Sequence, residues 1–68
     1  MNLKELRVSK GLKVKDVAAA VGVSSASVTL WESGERLISL PHVIKLTNLY
    51  KVKAQKIIQA VLKTKKAE

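Results

Sequence analysis

His42 is the one imidazole in the chain and no cysteine accompanies it, which excludes a Cys/His zinc site, a disulfide, and a thiol nucleophile with its base. The carboxylates are Glu5, Asp16, Glu32, Glu35 and Glu68, and nothing in their spacing forms the pair that general acid–base catalysis uses. A Gly-rich phosphate loop and a Ser/His/Asp set are missing as well. What the residue types supply in quantity is positive charge: 13 Lys and Arg against 5 Asp and Glu, a formal net charge of +8. The chemistry this permits is the binding of a polyanion, with nucleic acid first and an anionic membrane surface second.

Size narrows the choice further. A chain of 68 residues buries roughly 60% of its unfolded surface, so nearly every apolar residue is needed for one core and little is left to line a substrate cleft. At 47% hydrophobic it is too apolar for a disordered basic tail. The longest unbroken apolar run, Val17 to Val21, falls far short of the ~20 residues that cross a bilayer. The first residues carry Lys4, Arg7, Lys10, Lys13 and Lys15 without the apolar stretch of a signal peptide. The expectation is a soluble, intracellular, non-enzymatic module with no cofactor, no metal, no small-molecule substrate and no membrane partner. Trp31 and Tyr50 are too few to form a base-stacking platform for single strands.

The elements that must position those charges read as helices almost throughout. Asn2 can cap a first helix, with Glu5 completing a capping box, Leu3 and Leu6 facing inward and Gly11 following its end at Lys10. Val14, Val17, Ala18 and Val21 define a second helix that stops at Gly22. Ser24 caps a third that carries Val28 and Trp31 and stops at Gly34. Ser39 can cap a fourth, with Pro41 in its first turn and His42 on its surface, running to about Tyr50 and burying Leu40, Val43, Ile44 and Leu46. Ala54, Ile57, Ile58, Val61 and Leu62 share one helical stripe; the alternative, a C-terminal β-hairpin, lacks a Gly or Asn-Gly turn between Lys51 and Leu62. The predicted fold is an all-α bundle of about five short helices, one domain over residues 1–63, with 64–68 as a frayed tail.

The most informative stretch is Val14 to Ser33. Ala18 is small enough for the third helix to approach the second, Gly22 four residues later accepts a sharp turn, and Val28 plugs the angle between them. That is a helix-turn-helix arrangement. The chain resembles the phage-repressor and Cro-like helix-turn-helix proteins, also called the lambda-repressor-like or XRE family. The resemblance runs through Leu3-Lys4-Glu5-Leu6-Arg7, Gly11-Leu12, Val17-Ala18, Val21-Gly22-Val23-Ser24, Val28, Trp31-Glu32 and Gly34-Glu35-Arg36. It continues weakly to Tyr50-Lys51-Val52, about three quarters of the chain, and at this length is most similar to a small Cro-type regulator.

A helical wheel at ~100° per residue turns Val28 and Trp31 inward and places Ala26, Thr29, Leu30 and Ser33 on the opposite face, with Ser25 at its N-terminal edge. An α-helix fits the major groove of DNA, where outward side chains meet base edges. The resemblance implies base contacts by Ser25, Ala26, Thr29 and Leu30, with Ser24 close by. Between Asp16 and Arg36 no basic residue occurs, so affinity must come from the flanks: Lys10, Lys13, Lys15, Arg36, Lys45 and the C-terminal lysines, with Ser27 and Ser33 as neutral phosphate donors. Residues 1–36 carry a net +2 and residues 37–68 a net +6. Arg7 and Glu32 match the family-like ion pair between the first and third helices, the arginine also being able to reach a phosphate. Two departures stand out, because many members have Gln where Val14 stands and Thr where Lys13 stands.

The resemblance implies a transcriptional repressor of a bacterial or phage-infected cell, cytoplasmic, that occupies double-stranded operator DNA. A single short motif reads few base pairs, so a dimer is expected on a pseudo-palindromic site, weak in free solution, with half-sites ~34 Å apart. The stripe of Ile57, Ile58, Val61 and Leu62 is wide enough for both core and partner. Two other classes compete: an antitoxin-like protein-interaction module with the same fold, and a membrane-surface role for Lys51 to Lys66.

Overall fold

A computed structural model of the chain describes residues 1–64, which form five helices: α1 (Leu3–Ser9), α2 (Val14–Val21), α3 (Ser25–Ser33), α4 (Leu40–Tyr50) and α5 (Ala54–Thr64). The expected tail residues 65–68 lie outside the described residues. No strand occurs among the described residues, and 51–62 is helical rather than a hairpin.

Local signals set the helix ends. Asn2 Oδ1 accepts the Glu5 N–H at 2.8 Å while the Asn2 N–H donates to Glu5 Oε1 at 2.9 Å, a complete capping box. Asp16, unremarked in the sequence, does half of the same job for α2, its carboxylate accepting the Lys13 N–H at 3.0 Å. An acid in the first turn also offsets the two lysines beside it against the helix dipole. Ser24 caps α3, its Oγ accepting the Ser27 N–H at 3.2 Å. Gly22 and Gly34 end α2 and α3 at φ of 83° and 81°, in the left-handed region where a side chain is strained.

Among the described residues twelve side chains make the core: Leu3 and Leu6; Val17, Ala18 and Val21; Val28 and Trp31; Val43, Leu46 and Tyr50; Ile57 and Ala60. Each helix therefore buries one stripe at helical spacing. α2 packs most closely on α3, and α5 lies across α1, α3 and α4.

Two expectations are corrected, for Leu40 with Ile44 and for Thr64, and three are refined. Leu40 and Ile44 are not buried but 69% and 55% exposed. The stripe that faces inward on α4 is Val43, Leu46 and Tyr50, and Leu40 and Ile44 lie roughly 90° and 130° from its centre. On α5 the buried pair is Ile57 and Ala60, leaving Ile58 and Leu62 outside. Ser39 occupies the cap position of α4, but its hydroxyl pairs with His42 Nδ1 at 2.7 Å instead of a backbone amide. Thr64, assigned to the tail, belongs to α5: its Oγ1 accepts the Leu3 N–H at 2.9 Å and donates to the Ala60 carbonyl at 2.8 Å. Its hydroxyl thus satisfies one of the free amides at the start of α1. α1 itself ends one residue early, with Lys10 as its cap.

Candidate nucleic-acid interface

α3 is held from both sides. Behind it, Val28 and Trp31 enter the core, 2% and 5% exposed. At its margin, Glu32 meets Arg7 of α1: Nε donates to Oε2 at 2.7 Å and Nη2 to Oε1 at 3.2 Å. Arg7 Nη1 also donates to the Leu12 carbonyl at 2.8 Å, which ties the α1–α2 loop into the same brace. The paired side chains are 10% and 11% exposed. The Glu32 hydrogen bond, opposed by burial, pushes the Arg7 guanidinium above its ordinary value. With three donors bound internally, Arg7 locks α1 to α3 and has lost most of the reach toward a phosphate that its sequence position suggested.

The face of α3 turned away from the core carries Ser25, Ala26 and Thr29, all exposed, and Ser33, half-buried. Two hydroxyls on it are partly occupied by the helix itself: Thr29 Oγ1 donates to the Ser25 carbonyl at 3.1 Å and Ser33 Oγ to the Leu30 carbonyl at 3.1 Å. Ser24 is exposed, but its Oγ already accepts from the Ser27 amide and lies 3.1 Å from Ser27 Oγ. Leu30, expected on the open face, is half-buried and outside the core cluster. No charged side chain occurs from Ser25 to Trp31.

A groove opens along each flank of that face. One is lined by Lys4, Arg7, Val14, Thr29, Glu32 and Ser33. It brings the start of α2, where exposed Lys13 and Lys15 bracket Val14, beside Thr29 and Ser33 of α3. Lys4 was missed in the sequence; its only signal was its place one helical turn before Arg7. The other groove is lined by Val23, Ser27, Trp31, Arg36, Leu37, Ser39 and His42, which puts Ser27 and Arg36 together. There the His42 ring packs on Trp31 with centroids 5.2 Å apart, tilted by 40°. Lys10 is exposed at the end of α1. Lys45 is placed differently: its Nζ donates to the Val21 carbonyl at 3.2 Å, at the last residue of α2, and so pins α4 to the turn of the motif.

The arrangement is a short neutral helix face between two grooves bordered by cations, which suits a narrow contact with base edges and broader contact with phosphates. Among the described residues no cluster of His, Asp or Glu side chains could hold a metal ion, and no helix is long and apolar enough to cross a membrane. No curated protein and no solved structure matches the chain. A helix-turn-helix family model does match, over residues 3–57, taking in α1 through the first turn of α5. The chain belongs to the helix-turn-helix family, in its XRE-type, Cro/repressor-like group of DNA-binding regulators.

Proposed function

We propose that the chain is a Cro-like transcriptional repressor that inserts α3 into the major groove of a double-stranded operator. It binds as a dimer on a pseudo-palindromic site and represses by occupancy. The observation that carries this reading is the neutral, exposed Ser25–Ala26–Thr29 face set between two cation-bordered grooves. In the groove, Ser25 offers a hydroxyl as donor or acceptor, while Ala26, Leu30 and the Thr29 methyl pack on thymine methyls. Ser24 contributes only what its capping role leaves free. Lys10, Lys13, Lys15 and Arg36, with Ser27 and Ser33, contact phosphates, and Lys45 adds charge from the end of α2.

Selection from random duplex DNA, repeated at several salt concentrations, tests this directly. The expected result is a two-fold symmetric motif, with affinity falling as salt rises. Leu30→Ala should change the bases preferred at one position of each half-site. Lys13→Ala should weaken all duplexes alike and lower the salt slope by about one. Recovery of no motif would remove sequence-specific regulation and favour the protein-interaction reading.

A further inference from the structure

The helix-turn-helix unit is one chain, and a single α3 reads too few base pairs to define an operator. Apart from Met1 and Val8, the exposed large apolar side chains of the described residues fall on two edges that a second copy could use. One is formed by Leu37, Leu40 and Ile44, 68%, 69% and 55% exposed. Leu40 and Ile44 lie one turn apart on α4, and Leu37 lies three residues before Leu40. The other is Ile58 and Leu62 on α5, 48% and 66% exposed.

Charge separates them. Two copies that each carry +8 repel, and the cost is least where the facing surfaces hold no cations. Between Arg36 and Lys45 there is no charged residue. On and beside α5, Lys51, Lys53, Lys56 and Lys63 stand with no acid among residues 51–64. Position points the same way. Leu37 lines the groove that holds Ser27 and Arg36, so the first edge adjoins the DNA-facing side of α3.

We propose that Leu37, Leu40 and Ile44 form the surface on which a second copy of this chain docks, presenting two α3 helices to one operator. This rests on the operator reading above and transfers the dimer contact from α5, where the sequence stripe placed it, to the loop before α4 and its first two turns. Three such side chains make a patch on the order of a few hundred Å², well under the roughly 800 Å² per partner of a stable complex. The pair therefore forms weakly in free solution and is completed on DNA. Salt acts in opposite senses on the two steps, weakening the contact with phosphates and strengthening the contact between copies.

The test compares the wild-type chain with L40Q/I44Q and I58Q/L62Q, which change exposed positions and leave the net charge at +8. Each is assayed on the selected palindrome and on an isolated half-site. Sedimentation at high protein concentration and raised salt is run in parallel, without DNA. Thermal denaturation confirms that each variant folds. L40Q/I44Q should keep half-site affinity within about twofold while losing roughly tenfold or more on the palindrome, a change of about 1.4 kcal/mol. It should also abolish salt-strengthened self-association, with I58Q/L62Q unchanged in both assays. Loss with I58Q/L62Q instead, or no loss with either, overturns the proposal. Independent filling of the two half-sites by the wild type overturns it too, while leaving base reading by α3 intact. If no operator is selected, the reading of α3 fails, and the sedimentation arm alone decides the surface.

Discussion

Arg7 and Glu32 show how much one pair of side chains can decide. Both are almost out of solvent, with charges satisfied only by each other and by the Leu12 carbonyl. Replacing one leaves the other buried and unpaired, so Arg7→Met should lower unfolding free energy by about 3 kcal/mol or more, measured by denaturant titration. Replacing both with apolar residues of similar volume should recover most of that loss. Recovery of nothing would mean that the pair acts through something other than its charges. Tyr50 is 3% exposed, and burial first, then the negative Glu32, pushes its hydroxyl from 10.0 to about 12. The folded chain thus keeps this proton where the unfolded chain has released it. The associated stability is complete below pH 10 and is lost as pH rises toward 12. Tyr50→Phe, less stable or not at neutral pH, should lack that component, so its stability should fall less steeply than that of the wild type between those values. Parallel profiles would show that Tyr50 does not titrate as its burial implies.

At the scale of elements, the features legible in the sequence were those written within four residues of each other. The Asn2–Glu5 box, the Ser24 cap and the left-handed glycines at 11, 22 and 34 needed no tertiary information, and the structure has them in place. The turn itself can be tested by Gly22→Ala. A Cβ there would meet nothing within 4 Å, so the substitution isolates the cost of holding φ at +83° with a side chain, about 1 kcal/mol in thermal denaturation. A much larger loss would mean that the turn shifts and α3 moves with it. The misreadings have a common cause. Leu40 and Ile44 were assigned to the core because they are apolar, yet an apolar residue is not obliged to be inside; only the phase of Val43, Leu46 and Tyr50 determines which side of α4 packs. Apart from the Arg7–Glu32 pair, which the family resemblance supplied, contacts distant in sequence were invisible for a different reason. Lys45 reaches the Val21 carbonyl across 24 positions and Thr64 reaches Leu3 across 61. No periodicity or spacing rule encodes such pairs. In the candidate site, the outward phase of Ser25, Ala26 and Thr29 could be read from the wheel. The half-burial of Leu30 and the closeness of Lys4 to Thr29 depend on how the helices cross.

For the molecule as a whole, charge is unevenly placed. The outward face of α3 is neutral, the flanking grooves are basic at their edges, and the exposed leucines at 37 and 40 stand in an uncharged stretch. The five helices also close on themselves. The hydroxyl of Thr64 holds the first amide of α1, so the two ends of the described fold meet on the side where α5 crosses α1. The start of α1 and the end of α5 are thus joined by a hydrogen bond. Linking the two ends with a short flexible segment should barely perturb the folded state while confining the unfolded one. Loop-closure entropy puts the gain at about 4 kcal/mol for a loop of this size. Comparison of denaturation midpoints of the linear and circular chains would measure it, and an unchanged midpoint would mean that the ends do not stay together in solution. A circular form would be stabilised wholly through its unfolded ensemble, with no atom altered on the outward face of α3.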